Sequence, residues 1–150
     1  MKAFNNKIVA IAVLIAALHL AACQDKGSHY EHIEPAHLEH VEGSELSTLT
    51  LTDKAIERTG ILTVPVTEEM IAHSPPRMSL VVPYSALIYD AEARVWVYTN
   101  PKPSTYLRHE VKVEFIDGDK AILLEGPPVG TTVVTRGAAE LYGTEYKVGH

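Results

Sequence analysis

Four histidines near the start of the chain have the residue type and spacing to bind a metal ion: His29, His32, His37 and His40. They form two pairs, each spaced three residues apart, so one helical turn would bring both rings of a pair to one face. Neutral imidazole suits Zn(II), Cu(II), Ni(II) or Co(II) as a possible ligand, and the sequence predicts no required cofactor. Pro35 separates the pairs, so one rigid four-ligand site is not encoded. The alternative is a solvated acidic segment that happens to hold histidines.

Met70, His73 and Met78 form a second, softer group of ligands. Thioether and imidazole together suit Cu(I). The alternative is that Met78 packs in the core and His73 is an exposed loop residue. We favour that alternative because methionine commonly fills gaps in protein cores.

The sequence carries no catalytic signature. Ser85 lacks the flanking glycines of a nucleophile elbow, and no Ser/His/Asp set can be assembled. Phosphate loops, dinucleotide fingerprints and HExxH helices do not occur. Asp53 and Glu57 are spaced for one helix face, but capping and solvation explain both residues. We therefore predict that the chain is not an enzyme.

Cys23 is the single cysteine, and it directly follows two alanines. Two lysines and the apolar stretch 8–18 precede it, which is the order of a secretory signal peptide. The pattern resembles the lipobox of bacterial lipoproteins. This resemblance implies that residues 1–22 are a signal peptide and that Cys23 carries the lipid. A transmembrane helix is the alternative. The stretch is short for a membrane span, which needs about 20 apolar residues.

A lipid on Cys23 would place the mature chain in the periplasm, anchored to the inner or the outer membrane. Gln24 implies the outer membrane in enteric bacteria, but that rule does not extend to all bacteria, so both membranes stay open. The formal charge of −6 becomes −8 once the two lysines before Cys23 are removed. An acidic surface argues against nucleic acid as a partner. The chain would instead be held at the membrane by its lipid anchor.

The mature chain divides into a flexible segment and one small domain. Residues 23–45 are rich in His and Glu and lack periodicity, which predicts a flexible tether. Residues 46–146 predict a mainly β domain with one or two short helices. At this size a small β-barrel or β-roll would leave few strand edges exposed.

Local patterns place individual elements in this domain. Thr52 or Asp53 can cap a short helix that ends at Gly60. Thr67–Pro76 predicts a connector. Tyr106–Ile116 alternates as a long strand before an Asp117-Gly118 turn. One face of this strand is charged and is predicted to be solvated; it holds Arg108, Glu110, Lys112 and Glu114.

Three segments resemble a known family: 49–61, 82–98 and 126–138. The last two resemble the C-terminal part of periplasmic adaptor subunits, or membrane fusion proteins, of resistance-nodulation-division efflux pumps. The heavy-metal subgroup is the most similar. The first segment resembles the early strand-helix-strand of the same proteins. The shared residues are structural glycines, prolines and core positions.

The resemblance implies only part of an adaptor. In the family, a long excursion with a barrel domain, a lipoyl-like domain and a helical hairpin separates the early segment from the C-terminal block. Here a short bridge, residues 68–77, takes the place of that excursion. The sequence therefore resembles the membrane-proximal domain alone, the part that packs against the inner-membrane pump in the family.

Together these features predict a lipid-anchored, adaptor-like component of an efflux system that exports metal ions or drugs. It would act by docking on an inner-membrane pump subunit or a full-length adaptor. The alternative is a periplasmic lipoprotein that buffers or delivers divalent metal through its histidines. A third reading is a degenerate adaptor without an independent role.

Overall fold

The computed structural model describes residues 34–72 and 75–147, and within them the chain is mainly β. The strands are β1 (Ala36–His40), β2 (Ser47–Leu51), β3 (Leu62–Pro65), β4 (Thr67–Ile71), β5 (Arg77–Pro83), β6 (Ile88–Tyr89), β7 (Val95–Lys102), β8 (Thr105–Asp117), β9 (Lys120–Glu125) and β10 (Thr132–Arg136). The helices are α1 (Asp53–Thr59) and α2 (Ala138–Glu145), with one turn of 3-10 helix at Tyr84–Ala86. The predicted mainly β fold with short helices is confirmed.

The strands form a curled sheet, and its two end strands follow each other directly in the chain. The main path runs in the order β3, β10, β7, β8, β9, β5, β4. Its end strands, β3 and β4, are consecutive in sequence and separated only by Val66. The Val66 N–H donates to the Thr131 carbonyl at 2.8 Å, and the Gly130 N–H donates to the Val66 carbonyl at 2.9 Å. The sheet therefore curls into an open, half-barrel roll, in line with the barrel or roll that the sequence predicts.

The predicted connector Thr67–Pro76 is wrong in its first half, which forms β4. This strand pairs antiparallel with β5 from Thr67↔Val81 to Ile71↔Arg77. Its sequence, TEEMI, lacks apolar alternation, so it shows no strand signal of its own. Backbone hydrogen bonds to β5 stabilise it instead.

The predicted tether is wrong for residues 36–45. Ala36–His40 forms β1, which pairs antiparallel with β2 along its whole length, and the Val41 N–H donates to the Leu46 carbonyl at 3.0 Å. Ala36 is buried in the core. The folded region thus begins before Leu46, because pairing with β2 compensates for the polar composition of this segment. Residues 23–33 of the predicted tether lie outside the described residues.

Two hydrophobic cores lie on opposite sides of the sheet. The core inside the roll includes Val66, Val82, Val97, Val111, Leu123 and Val133. The outer core, packed with residues of both helices, includes Leu49, Ala55, Tyr98, Tyr106, Val134 and Leu141. β7 contributes Val97 to the first and Tyr98 to the second, because side chains alternate across a strand. The central strands are therefore buried on both faces.

α1 begins and ends at the residues the sequence predicts. The Thr52 hydroxyl accepts a hydrogen bond from the Ala55 N–H at 3.2 Å, which satisfies one free donor of the first turn. Gly60 has a φ of 60°, and its N–H donates to the Ile56 carbonyl at 2.9 Å. These caps position Ala55 and Ile56 against the outer core.

Within residues 34–72 and 75–147, none of the helices has the length and apolar character to cross a membrane.

Candidate functional site

A buried arginine lies at the centre of an aromatic cluster between the sheet and α2. The Arg108 Nε donates to Glu145 Oε2 at 2.8 Å, and the two side chains are 0% and 4% exposed. The Tyr98 hydroxyl donates to the same oxygen at 2.6 Å. The guanidinium carbon lies 4.5 Å from the Trp96 ring centroid and 5.1 Å from that of Tyr146. This Arg108 cluster ties the end of α2 to β7 and β8.

The charges of the Arg108 cluster stabilise each other. Burial alone would lower the pKa of Arg108, but the hydrogen bond and the charge of Glu145 outweigh it, so the pKa is raised. Burial, and then the hydrogen bond to Glu145, raises the pKa of Tyr98. The Arg108 Nη1 and Nη2 atoms are buried, and no other residue in 34–72 or 75–147 offers them a hydrogen-bond partner. The guanidinium instead packs against aromatic rings, which attract a cation.

The prediction that Arg108 faces solvent is wrong. Glu110 and Lys112, on the same face of β8, are exposed as predicted, but Tyr106 and Arg108 are buried. α2 returns over this end of β8, and its Glu145 supplies the counter-ion. Alternation along a strand shows which face a residue occupies but not what covers that face.

Asp90 organises a second polar cluster next to the first. Its Oδ1 accepts the N–H groups of Glu92 and Arg94 at 3.0 and 2.8 Å. Its Oδ2 accepts the Arg94 Nε and the Trp96 Nε1, both at 2.8 Å. Arg94 also pairs with Glu45, in the turn between β1 and β2. The β6–β7 turn is thereby joined to the N-terminal hairpin, and the Trp96 ring is held against Arg108.

Stability should fall in acid as Asp90 is protonated. Burial alone would raise the pKa of Asp90, but hydrogen bonds from Trp96 and Arg94, with the Arg94 charge, lower it. The stability that ionised Asp90 contributes is therefore complete above the pKa of the unfolded chain, about 3.9. It is lost as the pH falls through the pKa that Asp90 has in the folded protein. We expect Asp90→Asn to lower the Tm by roughly 5 °C at pH 7. The difference from the wild type should shrink as the pH falls below about 4.

Thermal unfolding of both proteins between pH 7 and pH 2, followed by circular dichroism, measures this difference. Asp53→Asn, at the first residue of α1, is the control, because Asp53 is exposed. If the Tm difference between Asp90→Asn and the wild type stays constant across this pH range, the ionisation of Asp90 does not stabilise the fold.

Two tyrosines form an exposed aromatic pair at the start of the β6–β7 hairpin. Tyr84 and Tyr89 are 48% and 54% exposed. Burial, and then the charge of Tyr84, raises the pKa of Tyr89. The 3-10 turn and β6 hold the tyrosines on regular backbone. Rigid, exposed tyrosines are typical of protein-binding surfaces.

An open groove of about 620 Å³ lies beside both helices, with these lining residues: Arg58, Thr59, Ala139, Glu140, Gly143 and Thr144. Among the residues that the structure describes, the lining holds neither histidine nor cysteine. Its charged side chains, Arg58 and Glu140, lie at the end of α1 and near the start of α2.

The structure places His37 and His40 in β1, so the helical turn predicted for this pair is wrong. Residues three apart in a strand point to opposite faces. His37 lies on the exposed face, where its Nε2 is 3.5 Å from Glu39 Oε1, whereas His40 lies on the face of Ala36 and Leu38. Among residues 34–72 and 75–147, no three His, Cys, Asp or Glu side chains are grouped to hold a metal ion.

The remaining predicted ligands of this group, His29 and His32, lie outside the described residues, as does the predicted lipidation site Cys23. Metal binding by the histidines and lipidation of Cys23 stay predictions.

Met70 and Met78 are brought together as direct cross-strand partners in the β4–β5 hairpin. The favoured reading of Met78 as a core residue is wrong, because the residue is 48% exposed. His73 lies outside the described residues.

No protein-family model and no curated protein matches this chain. Among solved structures, it is similar to a 180-residue segment, determined by NMR, that encompasses the N-terminal metal-binding site and the membrane proximal domain of SilB from Cupriavidus metallidurans CH34. The sequences are 23% identical, the TM-score is 0.45, and the match covers 64% of this chain and 53% of that chain. The chain thus spans about half the length of the structure it matches.

Proposed function

We propose that this protein is a lipid-anchored periplasmic component of an efflux system for metal ions or drugs, and that it acts by docking rather than by catalysis. One observation carries the proposal: the three adaptor-like segments build a single hydrophobic core. Leu49 and Ala55 come from the first segment, Tyr98 from the second, and Val134 and Ala138 from the third. The short β4–β5 hairpin is sufficient to join segments that a long excursion separates in full-length adaptors.

The proposal assigns the docking contact to Tyr84 and Tyr89. Both belong to the adaptor-like segment 82–98, and both expose about half of their side chains. Two aromatic rings on rigid backbone can bury much apolar area against a partner at low entropic cost. The expected partner is an inner-membrane pump subunit or a full-length adaptor, reached through the membrane anchor on Cys23.

Site-specific photo-crosslinking in membranes tests this assignment. A benzoylphenylalanine at position 84 or 89 of the full chain should crosslink to an efflux-pump component, identified by mass spectrometry. Tyr84→Ala with Tyr89→Ala should weaken binding of that component roughly tenfold, because truncating an aromatic anchor commonly costs about 1–2 kcal/mol.

Leu124 provides a matched control position, because it is 58% exposed but lies on β9. Equal crosslinking from position 124, or repeated recovery of partners unrelated to efflux from positions 84 and 89, would argue against the proposed function.

A further inference from the structure

We infer that the β4–β5 hairpin binds a soft monovalent metal ion, Cu(I) or Ag(I), between the side chains of Met70 and Met78. The two residues are direct partners in the antiparallel register of β4 and β5. Directly opposite residues project from the same face, with Cβ atoms about 4.5–5.5 Å apart. Two thioethers are therefore held side by side by the backbone of one hairpin.

Core packing does not explain this pair. Met70 and Met78 are 63% and 48% exposed, and neither belongs to the two hydrophobic cores. The sequence contains 3 methionines, and the third is Met1. Every internal methionine of the chain thus lies on this one exposed surface, although methionine usually fills gaps in cores.

The chemistry of the pair selects the ion. Thioether sulfur is a soft, uncharged ligand that suits Cu(I), whereas carboxylate and imidazole suit divalent ions. Each methionine has three rotatable bonds, so two sulfur atoms on adjacent strands can converge on one ion without backbone movement. The site therefore differs in ligand and metal class from the histidines near the start of the chain.

The charges around the hairpin are compatible with a bound cation. Glu68 lies two residues before Met70, on the same face of β4, and its carboxylate lowers the electrostatic energy of a nearby cation. The neighbouring cations lie on the opposite face and are paired. Lys120 Nζ is 2.6 Å from Glu69 Oε2, and Arg77 pairs with Glu114.

This site goes beyond the proposed docking function and does not depend on it, because it is carried by two side chains other than Tyr84 and Tyr89. Loss of metal binding and loss of docking can therefore be measured separately.

Ag(I) is the probe of choice because it is soft, monovalent and redox-inert. The full chain with Cys23→Ser, which keeps Met1 and removes the competing thiol, is labelled with ¹³C at its methionine methyl groups and titrated with silver nitrate in chloride-free buffer. Only three methyl signals are expected, and Met70→Leu and Met78→Leu assign two of them. We expect the Met70 and Met78 signals to shift together at one equivalent of Ag(I), while the Met1 signal stays in place.

Removing either thioether should abolish the shared site. In Met70→Leu the remaining Met78 signal should respond with an affinity at least roughly tenfold lower, because the second ligand no longer adds its effective concentration. The matched control is Met70→Leu with Ile71→Met, which keeps two methionines but moves one to the opposite face of β4. It should behave like Met70→Leu. Competition with a chromophoric Cu(I) chelator should rank the variants in the same order.

Three results would overturn the inference. The first is the absence of any methionine shift at one equivalent of Ag(I). The second is an unchanged affinity at Met78 in Met70→Leu, which would mean that the two sulfur atoms act independently. The third is a Met1 signal that titrates together with the pair, which would mean non-specific binding to any thioether.

Discussion

Glu145→Ala is expected to lower the free energy of unfolding by about 3–5 kcal/mol, because it leaves a buried charge without its partner. The side chains of Arg108 and Glu145 are almost completely shielded from solvent. Trp96, the single tryptophan of the chain, contacts the guanidinium and reports the change. Urea denaturation followed by tryptophan fluorescence gives the free energy directly.

Two further variants separate the buried pair from general damage to α2. Glu140→Ala lies on the same helix at an exposed position and should change stability by less than about 0.5 kcal/mol. Arg108→Met combined with Glu145→Leu removes both charges and should recover much of the loss, because apolar side chains of similar size replace buried ion pairs well. If Glu145→Ala is no more harmful than Glu140→Ala, the ion pair does not stabilise the domain.

Gly137→Ala is expected to lower the free energy of unfolding by about 2–4 kcal/mol for two reasons. Gly137 has a φ of 91°, where a side chain is strained by about 1–2 kcal/mol. An added Cβ would also lie 2.7 Å from Ile61 Cγ1, a contact that forces the neighbouring chain to move. The same urea denaturation measures the loss.

Gly130→Ala isolates the conformational part of this effect. Gly130 has a φ of 85°, but a Cβ there would meet no atom within 4 Å. We expect a loss of only about 1–2 kcal/mol at this position. Equal losses for the two alanine variants would mean that Ile61 relaxes at no cost.

Some elements could be predicted from the sequence because their signals are local. The Thr52 cap and the Gly60 stop define α1 without reference to the rest of the chain. The Asp117-Gly118 signal predicts the β8–β9 hairpin, although the turn itself lies one residue later, at Gly118–Asp119. Turn and cap residues act through their own backbone conformation, so their effect survives in isolation.

β1 and β4 could not be predicted because their stability comes from other strands. β1 has an acidic, histidine-rich sequence, and β4 has two adjacent glutamates. β1 alternates only over Ala36 to Glu39 and β4 does not alternate, yet β1 pairs with β2 and β4 pairs with β5. The hydrogen bonds of a strand depend on its neighbour and carry no side-chain signature.

For the candidate sites, too, the sequence indicated residue types and the tertiary structure decided which residues meet. The sequence identified Met70 and Met78 by residue type, but only the hairpin register made them neighbours and exposed both. It identified His37 and His40 by spacing, and the strand conformation then separated them. It offered no signal for the Arg108 cluster, because Arg108 and Glu145 are 37 residues apart.

The sequence by itself determined the β-rich class of this protein, the ends of its first helix and the turns between its late strands, since these depend on neighbouring residues. The tertiary structure alone decided which charges are buried and which soft ligands meet. Burial and pairing arise from contacts between distant segments, and a linear pattern specifies the face of each residue but not what covers it.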